Sequence, residues 1–196
     1  MDNKKIAQYA WEFIGGTSEI FSYHNDDKTV SVDVMTCADE NFSITTMSTI
    51  GLSNVDIGKE IEGKPLRVEL LMLGNAHEET FENILASVAF RIKENQYCDF
   101  GLIIENVIES YDGDATVNHV LLMQPVFWEK YSPFELDGNI IAWLLAIPVS
   151  EDERNYIEKN GIDKFDELLG RSHVDLIDLR RGNVDSLSNA PSDFHG

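Results

Sequence analysis

The stretch LRVELLML, residues 66–73, decides the fold of this 196-residue chain. Six of its eight residues are apolar, and only Arg67 and Glu69 interrupt the run. Near-continuous apolar runs of this length are typical of strands that are covered on both faces of a sheet. We therefore predict a strand over 66–73 near the centre of a sheet, preceded by a long loop over 51–65.

The segment that follows this strand predicts a helix over about 77–94. Asn75 is a suitable N-cap, and Glu78 three residues later completes a pattern like a capping box. Apolar residues recur at helical spacing, which places on one side of the helix Phe81, Ile84, Leu85, Val88 and Ile92. We expect this helix to pack on the sheet, with Leu85 and Val88 buried.

The first fifty residues predict one helix and three strands. Apolar residues at helical spacing run through 3–14. Residues 19–35 predict a hairpin, because valines alternate with polar residues and NDDK, 25–28, supplies turn chemistry. A third strand is expected over 42–50.

The second half of the chain is expected to alternate strands with short helices. The predicted elements, in chain order, are strands over 119–125 and 139–149, helices over 151–159 and 163–169, and a final strand over HVDLIDLRRG, 173–182. Ser150 and Glu153 have the spacing of a capping box at the start of the first of these helices. Residues 99–119 are ambiguous, with a short strand possible over 102–104.

Strands grouped with helices at intervals predict the fold class. We expect a single α+β domain over residues 1–184, with a mixed, mostly antiparallel sheet and flanking helices. Residues 185–196 are predicted to be a flexible C-terminal tail.

The strong negative charge limits the partners that the chain can bind. Its 35 Asp+Glu against 15 Lys+Arg give a formal net charge of −20, and 43% hydrophobic residues are typical of a folded protein. Such a chain repels nucleic acid and anionic lipid, so we expect neither as a partner, whereas it would attract a basic protein. The alternative is that the acidity only secures solubility.

The start of the chain has no apolar secretory segment, and no stretch is long enough for a membrane span. Cys37 and Cys98 form no CxxC pair, so we expect two reduced thiols. These features predict a cytoplasmic protein of bacterial type.

The sequence contains none of the familiar catalytic or metal-binding motifs, so we expect no catalytic residue, no cofactor and no metal. The five histidines have no metal-ligand spacing, and neither a G-x-S-x-G elbow, a P-loop nor a dinucleotide fingerprint occurs. His24 beside Asp26 and Asp27 is better explained as a solvated hairpin turn than as a metal site. The DGD at 112–114 lacks the later ligands of a calcium loop.

Acidic residues in loops are the best candidates for contact with a partner, because loops present charge without a cost to core packing. The predicted partner-binding residues are Asp26, Asp27, Asp112, Asp114, Glu135 and Asp137. A solvated acidic surface with no partner is the alternative explanation of these residues.

Five segments in order resemble the N-terminal domain of the suppressor-of-fused family. They are PLRVELLM (65–72), FENILASVAFRIKENQYC (81–98), NHVLLMQP (118–125), NIIAWLLAIPVSEDERNYIEKNGIDKFDELL (139–169) and LIDLRRG (176–182). The resemblance covers about residues 60–184 and implies a binding domain with no known catalytic activity. It places Arg180 and Arg181 on a late strand, where at least one guanidinium is expected to pair with carboxylates as an internal brace.

The resemblance also implies a function. Animal members of the family grip a peptide of a transcription factor between two domains, and this chain is expected to end where the second domain would begin. Stand-alone bacterial versions resemble immunity proteins, or antitoxins, paired with LXG-type polymorphic toxins. Our hypothesis is an immunity protein that binds a cognate, basic toxin of nuclease type through its acidic surface. The alternatives are a peptide-binding regulatory adaptor and a hydrolase with an unrecognised site.

Overall fold

The sheet at the centre of this protein is built around the strand predicted over 66–73. The computed structural model describes residues 1–39, 43–75 and 79–184. Within these ranges the helices are α1 (Asn3–Ile14), α2 (Glu79–Asn95), α3 (Glu151–Asn160), α4 (Ile162–Arg171) and a short 3₁₀ helix (Leu52–Asn54). The strands are β1 (Thr17–His24), β2 (Ser31–Ala38), β3 (Ile44–Ile50), β4 (Glu60–Ile61), β5 (Lys64–Asn75), β6 (Ile103–Ile104), β7 (His119–Met123), β8 (Phe134–Leu136) and β9 (Asn139–Val149).

These strands form one mixed sheet with β5 in the middle. The order is β1-β2-β3-β5-β9-β7-β6, with β4 paired to β5 and β8 paired to β9. The pair β5–β9 is parallel, with Leu66 opposite Ile140 and Leu71 opposite Leu145, and the other pairs among the described residues are antiparallel. The predicted fold class, a mixed and mostly antiparallel sheet with flanking helices, is confirmed.

Helices cover both faces of the sheet, which explains why β5 is apolar on both sides. Val68, Leu70 and Met72 point into a core that contains α2. Leu71 points to the opposite face, whose core contains residues of α1, α3 and α4. Because side chains alternate along a strand, β5 contributes side chains to both cores. We call these the α2 face and the α1 face.

Glu69 is the one charged side chain that β5 buries completely. Its carboxylate accepts hydrogen bonds from the hydroxyls of Thr49 and Ser53, both at 2.6 Å. Backbone N–H groups of the 3₁₀ helix and of Gly51 donate to it as well. Burial raises the pKa of Glu69, and these hydrogen bonds oppose that shift. The carboxylate therefore satisfies donors that a buried helix start would otherwise leave without partners.

Several predicted elements are confirmed by the structure. Helix α2 packs on the sheet with Leu85 and Val88 fully buried. At the start of α3, Ser150 Oγ accepts from the N–H of Glu153 at 3.1 Å, and Glu153 accepts from the N–H of Ser150 at 2.9 Å. The predicted cap of α2 involves Glu78, which lies outside the described residues, and the tail over 185–196 also lies outside them.

Other predictions were wrong or incomplete. Residues 173–182 form consecutive turns and no strand. The short strands β4 and β8 were not predicted. In the described ranges, no helix combines the length and the apolar character needed to cross a membrane.

Candidate partner-binding surface

A polar groove opens beside the N-terminal end of α2, at the end of the sheet where β5 finishes. Its volume is about 500 Å³, and among its lining residues are Asn75, Thr80, Tyr111, Asp112, Asp175, Asp178 and Arg180. Three of these side chains are carboxylates and one is a cation. We call this the acidic groove.

Two aspartates of the segment 173–182 shape one wall of the groove. Asp175 Oδ1 accepts from the N–H of Ile177 at 3.1 Å, and Asp178 Oδ1 accepts from the N–H of Arg180 at 2.9 Å. An aspartate that bonds the backbone two residues later makes a turn, and this local bond competes with strand pairing. The repeated aspartates therefore fold this segment into two turns and leave Asp175 and Asp178 exposed.

Arg181 anchors this wall to the rest of the protein. Its Nη1 and Nη2 donate to Oε1 and Oε2 of Glu153 at 2.6 and 2.8 Å, and both residues are buried. Nη2 also donates to the carbonyl of Pro148 at 2.8 Å. The geometry of Arg181 is that of the internal brace expected for at least one of the two arginines, although Arg181 stands on a turn and not on the predicted strand.

Arg180 has the opposite environment, because it is exposed and lies among carboxylates. Its Nη2 donates to both carboxylate oxygens of Asp112 at 3.1 Å. The hydrogen bond from Arg180 lowers the pKa of Asp112. Arg180 is also close enough to Asp114 and Asp178 for their charges to raise its pKa, after the larger effect of Asp112. The acidic groove therefore carries one cation that offsets only part of its negative charge.

The loop between β6 and β7 forms the other wall. The N–H of Thr116 donates to the carbonyl of Leu179 at 2.9 Å, and its hydroxyl donates to the carbonyl of Arg181 at 2.6 Å. The Tyr111 and Ser87 hydroxyls are 2.6 Å apart, which ties this loop to α2. Tyr111 also lines a neighbouring groove of about 430 Å³, which extends to the β1–β2 turn and includes Asp26.

The structure distributes the six predicted partner-binding residues over three places. Asp26 and Asp27 lie in the β1–β2 turn, and Glu135 and Asp137 lie in β8 and the turn that follows it. Asp112 lines the acidic groove, and Asp114 lies beside it in the β6–β7 loop, close enough to act on the charge of Arg180. Which of them contacts a partner stays a prediction.

Three of the six already have partners within the chain. Asp112 pairs with Arg180, and Glu135 pairs with Lys64. Asp27 accepts from the hydroxyl and the N–H of Thr29, and the hydroxyl contact is the larger cause of its lowered pKa. The side chains of Asp26, Asp114 and Asp137 make no hydrogen bond or ion pair with the described residues.

Asp175 and Asp178 line the acidic groove but were not among the six predicted residues. Their three-residue spacing is a turn signal that could have indicated their exposure, since aspartate favours turns over strand interiors. The aliphatic residues around them favoured the prediction of a strand instead. The fold brings these two acids next to Asp112, which is far away in the sequence.

The described residues offer neither a metal site nor a reactive thiol. Within 1–39, 43–75 and 79–184, no group of three or more His, Cys, Asp or Glu side chains could hold a metal ion. Both cysteines are free and buried, and burial raises the pKa of Cys37 to about 11 and that of Cys98 to about 12. Thiols of this kind are protonated at neutral pH and are therefore poor nucleophiles. That the protein has no catalytic activity stays a prediction.

The architecture defines the class to which the protein belongs: an α+β fold whose mixed, mostly antiparallel sheet is enclosed by helices on both faces. The family described as "Suppressor of fused protein (SUFU)" matches residues 28–182. A curated relative, "Immunity protein YqcF" of Bacillus subtilis (strain 168), is 33% identical over an alignment of 186 residues, and the alignment covers 93% of this chain and 97% of that protein. The chain belongs to the suppressor of fused family, as the resemblance predicted.

Solved structures agree with this assignment at the level of the fold. A suppressor of fused homolog from Neisseria gonorrhoeae FA 1090 has a TM-score of 0.70 and 12% identity, covering 93% of this chain and 96% of that one. A chain of the Sufu–Fu complex has a TM-score of 0.64 and 12% identity, covering 98% of both chains. The fold is therefore kept while most of the sequence differs.

Proposed function

We propose that this protein is an immunity protein that binds a cognate protein toxin and neutralises it without catalysis. The observation that carries the proposal is the 33% identity to an immunity protein over nearly the full length of both chains. Identity of this extent over nearly the whole chain preserves the fold. An immunity protein has to occupy its toxin and needs no reaction of its own.

The acidic surface supports a basic toxin of nuclease type as the partner. The chain has a formal net charge of −20, and the acidic groove presents Asp175 and Asp178 with Asp114 close by. Nucleases have basic clefts because they hold phosphates, and carboxylates at similar spacing can take the place of those phosphates. Opposite charges on the two proteins would also accelerate their encounter.

Protection of cells tests the proposal directly. Each gene that flanks the gene of this protein would be expressed in bacteria with and without the protein. We expect one flanking gene to be toxic alone and harmless when co-expressed. If no flanking product is both toxic and rescued, the immunity function is wrong.

Stopped-flow association with the purified toxin tests the role of charge. We expect the association rate to fall steeply between about 50 and 500 mM salt, because screening removes long-range attraction. Asp114→Lys should lower the rate at low salt, whereas Asp166→Lys, an exposed control on α4, should have a smaller effect. A rate that does not depend on salt would contradict the acidic-surface mechanism and leave the immunity function standing.

A second candidate function, a peptide-binding regulatory adaptor, has support from one feature. Strand β1 lies at the edge of the sheet, and seven of its eight residues are exposed. An edge strand can accept an extended peptide through main-chain hydrogen bonds. Hydrogen exchange on the complex separates the two candidates, since protection of the β1 amides favours the adaptor and protection around the acidic groove favours the immunity mechanism.

A further inference from the structure

A pocket on the α1 face differs from the acidic groove because its floor is mostly apolar. Cys37, Thr46 and Leu73 lie side by side on β2, β3 and β5, since Cys37 is opposite Thr46 and Thr46 is opposite Leu73. They form the floor of a pocket of about 390 Å³. We call it the Phe127 pocket, after the residue on its wall.

The end of α1 forms one wall and the loop after β7 forms another. Ile14, Gly15 and Gly16 lie on the first wall, and Phe127 and Trp128 on the second. Gly16 is required there because a Cβ atom would come within 2.3 Å of the carbonyl oxygen of Ala38, and its φ is 79°. This close approach fixes the end of α1 against β2.

Large apolar side chains around the pocket are exposed to solvent. Phe127 is 55% exposed and its neighbour Val126 is 71% exposed. Trp11 is 46% exposed and is held at the rim, since its Nε1 donates to the carbonyl of Gly16 at 2.9 Å. A cluster of exposed apolar groups around a concave site is a common mark of an interaction surface.

We propose that the Phe127 pocket binds a bulky apolar side chain presented by a basic segment of the partner protein. The charge of the chain selects this occupant in two ways. Its net charge of −20 favours a basic segment over an acidic or neutral one. A second copy of the chain would bring another net charge of −20 and would be repelled.

The proposal rests on the proposed function and deepens it, because it assigns separate tasks to two surfaces. The acidic groove on the α2 face would govern the association rate through long-range attraction. The Phe127 pocket would govern the dissociation rate, since a buried apolar anchor contributes much of the binding energy of an interface. Salt should therefore change the association rate strongly and the dissociation rate weakly.

A peptide probe tests the pocket without the toxin. The probe is the peptide Lys-Lys-Gly-Phe-Gly-Lys-Lys, with an alanine version and a glutamate-flanked version as matched peptides. We expect the phenylalanine peptide to shift the amide NMR signals of Gly15, Gly16 and Thr46. The alanine peptide should bind at least about tenfold more weakly, because it cannot bury the ring. The glutamate-flanked peptide should also bind more weakly.

Equal shifts from all three peptides, or shifts confined to the α2 face, would overturn the proposal. Concentration-dependent dimerisation that perturbs the same three amides without peptide would also overturn it, because the occupant would then be a second copy.

Substitution of Phe127 supplies a second test. Phe127→Ser should abolish the peptide-induced shifts, whereas Phe21→Ser, 46% exposed on the opposite face of the sheet, should retain them. With the toxin, Phe127→Ser should increase the dissociation rate at least about tenfold and leave the salt dependence of association unchanged. Unchanged dissociation together with intact protection of cells would refute the pocket and leave the immunity function standing.

Discussion

Glu153 and Arg181 form a two-point ion pair that is buried at the junction of α3 and the C-terminal segment. The same carboxylate accepts from the N–H of Ser150 and from the N–H of Val184, both at 2.9 Å. One side chain thus caps a helix, neutralises a buried guanidinium and holds the last described residue of the chain. Removal of either member of the pair therefore leaves several buried groups without partners.

Arg181→Met should lower the free energy of unfolding by about 3 to 5 kcal/mol, because it leaves the Glu153 carboxylate buried without a cation. The adjacent control Arg180→Met should have a much smaller effect, since Arg180 is exposed. Urea denaturation followed by circular dichroism measures both. Equal losses of stability for the two variants would contradict the assignment of Arg181 as the brace.

Leu85→Ala and Val88→Ala should each lower the free energy of unfolding by about 2 to 4 kcal/mol, with the valine at the low end. Both side chains are fully buried between α2 and the sheet, so truncation leaves a cavity. Glu94→Ala, an exposed position on the same helix, should change stability by no more than about 0.5 kcal/mol. Chemical denaturation of the three variants measures these free energies of unfolding. A decrease for Glu94→Ala as large as those for Leu85→Ala and Val88→Ala would contradict the packing.

Both cysteines should react slowly with an aromatic disulfide reagent in the native protein. Burial raises the pKa of Cys37 to about 11 and that of Cys98 to about 12, so little thiolate exists at pH 7 to 8. Denaturant should make both thiols react at the rate of free cysteine. A native thiol that reacts at that rate would show that its site opens readily.

The contribution of Glu151 to stability should be lost in acid. A hydrogen bond from Arg154 is the largest cause that lowers the pKa of Glu151 from 4.5 to about 2. A lowered pKa in the folded state means that the ionised carboxylate stabilises the protein above about pH 4.5 and does so progressively less between pH 4.5 and 2. The difference in melting temperature between the wild type and Glu151→Gln should therefore be present at pH 7 and should shrink over that range. For Asp166→Asn, an exposed control, we expect a smaller difference at pH 7. A difference for Glu151→Gln that grows as the pH falls would contradict the pairing.

Local patterns in the sequence were sufficient for the parts of the fold that depend on local physics. The apolar run over 66–73, the periodicity of α2 and the Ser150 capping box each predict structure from neighbours along the chain. The sequence predicted a strand over 173–182 because the aliphatic residues there resemble a strand. The segment forms turns instead, because the side chains of Asp175 and Asp178 accept hydrogen bonds from the backbone N–H groups two residues ahead.

The acidic groove could not be predicted in the same way. Its central contact joins Arg180 to Asp112 across 68 residues of sequence. No periodic pattern in the sequence indicates that two such distant residues will meet. The Phe127 pocket has the same origin, since α1, β5 and the loop after β7 meet there only in the folded chain. Loop acids chosen for their turn chemistry therefore included Asp112 of the acidic groove and missed its neighbours Asp175 and Asp178.

The parallel pair at the middle of the sheet has a consequence for how the protein is made. Leu66 on β5 finds its partner only when Ile140 on β9 has been synthesised, and the brace requires Arg181, later still. Pairing across so long a separation has to close a large loop before it gains any contact, which slows folding. A ribosome therefore has to release most of the chain before the central sheet can close. Until then the edge of β5 that pairs with β9 stays open, and an unpaired strand edge of this kind makes the nascent chain prone to aggregate.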